Sequence, residues 1–219
     1  SYTYVIPEGV TLMGGYYEGE YSDGVYKDGT GWDDVTTGDN VRNPMKFRTV
    51  LSAVAKPTQG STITQEVNGY HTVTFGSWPG TTALEKETII DGVWLTDGSA
   101  NSMARAGNPN TRGGGAIVPS GAHVRNCVVM DCEAIEGGGL YLMPGATVSG
   151  TLVMNNSAED GGGVYADNTD VSADSRAHIL SCTIANNEAS STGGGLYMED
   201  GAVMNVNTVI FGNTSGSDK

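Results

Sequence analysis

Four glycine triplets recur at regular spacing in the second half of the chain and constrain the fold more than any other feature. They begin at Gly113, Gly137, Gly161 and Gly193, which are 24, 24 and 32 residues apart. The three residues after each triplet are also alike, reading AIV, LYL, VYA and LYM. Self-similarity with a period of about 20–50 residues is typical of solenoids and propellers. The sequence therefore predicts an array of stacked repeats.

The repeat unit is predicted to be β-structure. Apolar residues at i, i+3 and i+4, which a helix would need, do not occur in the repeats, whereas period-two alternation occurs at Leu140–Leu142 and at Thr151 and Val153. Three adjacent glycines would also weaken a helix by about 1 kcal/mol each. A propeller blade would need about 40 residues and tight hairpins, which the repeats lack.

The spacing therefore predicts an all-β fold, a single-stranded right-handed parallel β-helix. About seven coils of ~24 residues, with three short strands each, would stack at roughly 4.8 Å. The predicted register places Val124, Val148 and Ile179 in one inward column, with Cys127, Thr151 and Cys182 beside them. Segment VIPEGVTL near the N-terminus matches IVPSGAHV, so residues 1–219 are expected to form one β-helix domain.

Three excursions are expected to leave the coils, at about 18–46, 97–112 and 167–176. The chain stops where a further glycine triplet is due after Asn213, which predicts an open last coil and a fragment of a larger protein with further coils or domains.

Two columns of small polar residues mark the turn after the third strand. Asp131, Asn155 and Asn186 form one column, and the next consists of Cys132, Asn156, Asn187 and Asn213. Asparagine favours turn positions with positive φ, and stacked amides bond from coil to coil. We expect a structural role for both columns, and three unpaired, buried thiols in Cys127, Cys132 and Cys182.

Three tyrosines are the first candidate site. The equivalent position in three successive coils is occupied by Tyr141, Tyr165 and Tyr197. The leucines on either side of Tyr141 are predicted to point into the core, so the tyrosines are expected to face outward. An exposed aromatic ladder would bind sugar rings or a partner protein. Alternatively, like residues stack and stiffen the solenoid, which is the favoured interpretation.

An acidic loop at Asp167, Asp170 and Asp174 is the second candidate. Its spacing matches no calcium-binding loop, so a solvated loop is expected, and neither a metal nor a cofactor. The chain has 25 acidic and 11 basic residues, a net charge of −14, which disfavours nucleic acid and anionic glycans as partners. No stretch is predicted to span a membrane.

The segments GVTLMGGYYEGE, FRTVLSA and TIIDGVWLTDG, followed by repeated GGG, NNSA and NNEA motifs, resemble the pectin-lyase-like β-helix proteins of bacterial surfaces. The repeats are also similar to those of polymorphic outer-membrane proteins and secreted adhesins. The resemblance implies an extracellular or cell-surface location, and carbohydrate or a host or bacterial surface protein as partner. Enzymes of this fold carry an Asn-Thr-Asp segment, present here at residues 168–170, but also Gly-His-Gly and Arg-Ile-Lys segments, which are absent.

Two functions are therefore predicted. The favoured one is a non-catalytic module of a secreted or surface-attached bacterial protein, acting as an adhesin, stalk or glycan-binding surface. The alternative is a polysaccharide lyase or glycoside hydrolase. Paired carboxylates in neighbouring coils, such as Glu136 and Asp160, would suit the separation of about 5–9 Å that glycoside hydrolysis requires.

Overall fold

The computed structural model describes residues 3–14, 20–22, 25–27, 48–55, 67–77, 80–101, 108–168, 176–199 and 201–216. Short β-strands dominate these residues, together with one 3-10 turn at Pro109–Thr111.

The strands before that turn include those of the first two coils and two hairpins. They are β1 (Tyr4–Ile6), β2 (Thr11–Met13), β3 (Glu20–Ser22), β4 (Val25–Lys27), β5 (Thr49–Ser52), β6 (Val54–Ala55), β7 (Val67–Asn68), β8 (Val73–Phe75), β9 (Thr88–Asp91), β10 (Val93–Thr96) and β11 (Ser99–Ala100).

The strands after the turn belong to four further coils. They are β12 (Ala116–Val118), β13 (Ala122–Arg125), β14 (Val128–Met130), β15 (Glu133–Ala134), β16 (Leu140–Leu142), β17 (Thr147–Ser149), β18 (Leu152–Met154), β19 (Ser157–Asp160), β20 (Val164–Ala166), β21 (Ala177–Leu180), β22 (Thr183–Ala185), β23 (Glu188–Thr192), β24 (Leu196–Met198), β25 (Val203–Val206), β26 (Val209–Phe211) and β27 (Thr214–Ser215).

Four parallel sheets run along the molecule. Among the described strands, each coil contributes one strand in turn to the first three sheets, and each coil after the first also contributes one to the fourth. The first sheet has the order β1-β8-β12-β16-β20-β24, and the second has the order β2-β9-β13-β17-β21-β25. The third is β5-β10-β14-β18-β22-β26, and the fourth is β11-β15-β19-β23-β27. This arrangement is the predicted right-handed parallel β-helix.

The structure differs from the prediction in the number of strands and coils. A fourth short strand follows the asparagine turn in most coils, and the described strands form six coils rather than about seven. The first coil extends from β1 past β5, and two antiparallel strand pairs, β3–β4 and β6–β7, lie within its span.

The predicted register of the core is confirmed. Val124 pairs with Val148, which pairs with Ile179, and all three are buried. The neighbouring residues Cys127 and Cys182 are also buried, within the same hydrophobic cluster. Equivalent positions in successive coils hold similar apolar side chains, so the solenoid interior is filled by columns of like residues.

The glycine triplets are required by close contacts between coils. The first glycine of each triplet has positive φ, +68° at Gly137, which L-residues with side chains rarely adopt. At the third glycine, Gly139, a Cβ atom would lie 2.6 Å from the carbonyl oxygen of Gly163 and 2.9 Å from Nδ2 of Asn156. Each triplet thus bends the chain, and the triplets at Gly137, Gly161 and Gly193 leave room for an asparagine side chain.

The described parts of the predicted excursions differ in structure. Within 18–46 the structure describes only β3 and β4. Within 97–112, β11 joins the fourth sheet and Pro109–Thr111 forms the 3-10 turn, with the side chain of Asn108 accepting a hydrogen bond from the backbone N–H of Asn110.

Candidate functional site

The tyrosine ladder lies on the outer side of the first sheet, as predicted. Tyr141 pairs with Tyr165, and Tyr165 with Tyr197, in register. The rings of Tyr141 and Tyr165 are stacked with centroids 5.2 Å apart and 9° between their planes, and those of Tyr165 and Tyr197 are 4.8 Å apart at 26°. With Ile117 and Met143, these rings form a hydrophobic cluster separate from the solenoid core.

The expectation that this ladder is exposed is wrong for two of its three members. Tyr141 is 2 % exposed and Tyr165 is 8 % exposed, whereas Tyr197 is half-buried. The guanidinium carbon of Arg112 lies 4.6 Å from the centre of the Tyr141 ring and covers it. The ring faces are used for contacts with one another and with Arg112, so a sugar ring has no access to the face of Tyr141.

The hydroxyls of two of these tyrosines donate hydrogen bonds to carboxylates. Tyr141 donates to Asp167 at 2.8 Å, and Tyr165 donates to Glu199 at 2.9 Å. Glu199 also accepts from the backbone N–H of Asn168 at 3.0 Å. Burial, followed by the neighbouring carboxylate, raises the pKa of Tyr165. These hydroxyls are hydrogen-bond donors that stay protonated, which suits a structural role.

Of the predicted acidic loop, only Asp167 lies within the described residues. It is 3 % exposed and serves as the acceptor for Tyr141, so at this position the loop is not the solvated chain that we expected. Asp170 and Asp174 lie outside the described residues, as does the rest of the Asn-Thr-Asp segment beyond Asn168.

The residues just before the glycine triplets form a polar column beside the tyrosines. Arg112 lies opposite Glu136, and Glu136 lies opposite Asp160, in successive coils. Arg112 donates to Glu136 at 2.9 Å, while Asp160 accepts from the backbone N–H and the hydroxyl of Thr192, at 3.1 Å and 2.6 Å. Both carboxylates of the proposed pair are therefore engaged in contacts between coils.

The asparagine columns have the predicted structural role. Asp131, Asn155 and Asn186 have φ between 54° and 55°. In the second column, Nδ2 of Asn156 donates to Oδ1 of Asn187 at 3.0 Å, and Nδ2 of Asn187 donates to Oδ1 of Asn213 at 2.9 Å. Each amide oxygen also accepts the backbone N–H of the preceding rung.

The three cysteines are unpaired and buried, as predicted. Cys132 stands at the start of the asparagine column, where its backbone N–H donates to Oδ1 of Asn156 at 3.1 Å. Burial raises the pKa of Cys127 and of Cys132 to about 12, so neither thiol is a nucleophile at neutral pH.

Arg112 and Glu199 were missed by the sequence analysis. Arg112 had a usable signal, because it stands immediately before a triplet in line with Glu136, Asp160 and Thr192. Glu199 had none, since its contact with Tyr165 depends on how the chain leaves β24.

Within the described residues, no group of three or more His, Cys, Asp or Glu side chains is placed to hold a metal ion. The described helical structure includes no segment with the length and apolar character to cross a membrane. No protein-family model, curated protein or solved structure matches this chain.

Proposed function

We propose that this chain is a non-catalytic β-helix module of a secreted or surface-attached bacterial protein, acting as a stiff stalk that presents a binding surface. One observation carries the proposal. The residue types that distinguish the repeats, namely tyrosine, asparagine and glycine, all serve contacts between neighbouring coils. Such residues build a rigid rod, and the bacterial surface setting rests on the resemblance of the repeats to those of surface β-helix proteins.

The polar contacts of the first sheet support a structural role over catalysis. A general acid or nucleophile must reach the substrate, but Asp167 is buried under Tyr141, and Glu136 is paired with Arg112. The carboxylate of Asp160 is held by Thr192. These carboxylates stabilise adjoining coils, and each would have to give up its partner before it touched a sugar.

The test combines a binding assay with an assay for turnover. The chain is applied to a glycan array and to bacterial and host cell surfaces, and it is incubated in parallel with the same polysaccharides. We expect retention on at least one surface and neither new reducing ends nor unsaturated products. Release of either product by the parent chain, and its loss in Asp160→Asn, would refute the proposal in favour of a hydrolase or lyase.

A variant in the ladder separates binding from stability. Tyr165→Ala removes a ring that is stacked on both sides, so we expect a lower melting temperature and unchanged binding to the retained glycan or surface. Weakened binding in a folded Tyr165→Ala variant would instead place the ligand on the ladder. Tyr197→Phe is the matched control, because it keeps the ring stack and removes only a hydroxyl.

A further inference from the structure

The outer side of the third sheet is uncharged along its strands. Its six strands read TVLS, VWLT, VVM, LVM, TIA and VIF, and none of them includes a charged residue. By contrast, the second sheet includes Asp91 and Arg125, and the fourth includes Glu133 and Glu188. The strands of the first sheet are also uncharged, but the outward side chains Ile117, Tyr141 and Tyr165 of that sheet are buried, whereas those in the middle of the third sheet remain partly accessible.

Apolar side chains cover the middle of this surface. We call them the outer strip, and its members are Trp94, Val128, Met130, Leu152, Met154 and Ala185. They alternate with the core residues of the same strands and are absent from the core cluster. Trp94, Met130, Leu152 and Met154 are half-buried, so they remain partly accessible to solvent.

One margin of the outer strip is acidic. Asp97 and Asp131 follow β10 and β14 directly, in the same turn column. Asp97 accepts a hydrogen bond from Ser52 at 2.6 Å, and among the described residues no basic side chain forms an ion pair with either carboxylate. The pKa of Asp131 is raised, first by partial burial and then by the charge of Asp97. This margin therefore favours a cationic partner.

A contact within the chain already brings a cation to the outer strip. The guanidinium carbon of Arg48 lies 4.3 Å from the centre of a Trp94 ring. Basic side chains can thus approach this surface over the tryptophan while their charge stays near the solvent.

The length and strand spacing of the outer strip favour a helix over an extended strand as the binding partner. The four strands of the outer strip, about 4.8 Å apart, span roughly 14 Å, which is the length of an α-helix of about ten residues. The helical pitch of about 5.4 Å nearly matches the strand spacing, so each turn meets about one coil, whereas alternate residues of an extended strand are about 6.8 Å apart.

A second copy of the chain fits less well, because it would present the same acidic margin of Asp97 and Asp131 and not a basic one. The first excursion, residues 18–46, has seven acidic and three basic residues, so it lacks the complementary charge.

We propose that the outer strip docks an amphipathic α-helix of a partner protein, with the apolar face of the helix on Leu152 and its neighbours and a row of basic side chains against Asp97 and Asp131. This inference rests on the proposed role as a binding scaffold and names the class of partner. Helix docking in an apolar groove is a common recognition mode, and the basic flank supplies orientation.

The probe is a labelled 18-residue helical peptide with leucines on one face and lysines on its flanks, and binding to the full chain is followed by fluorescence anisotropy. Leu152→Lys puts a charge into the outer strip, and Thr147→Lys is the matched control. Thr147 is also half-buried and faces outward on the second sheet of the same coil, so both variants change the net charge equally. Equal melting temperatures show that both fold.

We expect the parent and Thr147→Lys to bind the peptide alike and Leu152→Lys to bind at least about tenfold more weakly. Asp131→Asn should weaken binding a few-fold at low salt and less at high salt. Equal affinities of the two lysine variants, or equal binding of a peptide with glutamates in place of the lysines, would overturn the proposal. A parent dimer in sedimentation that Leu152→Lys dissociates would instead assign the surface to self-association. These binding and sedimentation measurements do not address turnover. Only the turnover assay with polysaccharides tests whether the scaffold is an enzyme.

Discussion

Replacement of Asn187 by alanine tests the asparagine ladder as a source of stability. This side chain is 1 % exposed and forms four hydrogen bonds. Nδ2 donates to Val153 and to Asn213, and Oδ1 accepts from the backbone and side-chain amides of Asn156, all at 2.9–3.0 Å.

The magnitude follows from the partners that alanine leaves behind. The backbone N–H of Asn156 loses its acceptor, and a buried donor without a partner costs about 1–3 kcal/mol. Nδ2 of Asn156 keeps Val129, and Oδ1 of Asn213 keeps the backbone N–H of residue 187, so each loses one of two bonds at about 1 kcal/mol. The carbonyl of Val153 loses its bond from Nδ2, at about 1 kcal/mol more. We expect Asn187→Ala to lower the free energy of unfolding by roughly 4–6 kcal/mol.

The assay is urea denaturation followed by circular dichroism, with hydrogen exchange at the amide of residue 156 as a local measurement. Asn186→Gly is the matched control, because residue 186 is exposed, has a φ of 54°, and aligns with the natural Gly212 in the next coil. The control should stay within about 1 kcal/mol of the parent. A loss below 1 kcal/mol for Asn187→Ala, with unchanged protection of the residue 156 amide, would refute the ladder as a stabilising element.

Three further perturbations follow from buried groups. Gly139→Ala should destabilise the fold by more than about 3 kcal/mol in the same titration, because its Cβ would overlap the carbonyl of Gly163; stability within 1 kcal/mol of the parent would contradict the tight coil contact. The pKa of His71 is lowered from 6.5 to about 4, chiefly by burial, so the unfolded state binds more protons between these values and stability should fall by roughly 3 kcal/mol as the pH drops through this window. His71→Gln should lose that part of the pH dependence, and equal pH profiles for parent and variant would exclude the effect. Cys127 should react with a thiol reagent only on unfolding, since burial raises its pKa to about 12; rapid labelling of the native chain at that residue would contradict its burial.

The repeat period allowed the architecture and register to be predicted from the sequence. A constant offset of 24 residues between equivalent positions fixes which side chains become neighbours, so the column of Val124, Val148 and Ile179 required no knowledge of distant contacts. The asparagine turns were equally accessible, because positive φ restricts the residues that can occupy them.

The fourth sheet was not predictable in the same way. Its strands are as short as two residues, such as Ser99–Ala100 and Glu133–Ala134, and they have no alternation long enough to recognise. A segment with small inward alanines and polar outward residues is predicted to be a loop from its sequence. Only the pairing with neighbouring coils makes these segments strands.

The burial of the tyrosines depended on residues outside the repeat motif. Alternation correctly placed Tyr141 outside the core, but it could not show that Arg112 would lie over its ring or that Asp167 would accept its hydroxyl. Orientation relative to a sheet is a local property, whereas exposure depends on every segment that packs nearby.

The connections between sheets differ in their tolerance of length. The first and second sheets are joined by three residues between Val118 and Ala122, but by ten between Ala166 and Ala177, and the registers on both sides are unchanged. From the second coil onward, the turn between the second and third sheets has only one or two residues, and the asparagine ladder fixes the next turn. One corner of the rod therefore accommodates connections of three to twelve residues, at intervals of one strand spacing, and is the place where we expect grafted loops to disturb the frame least.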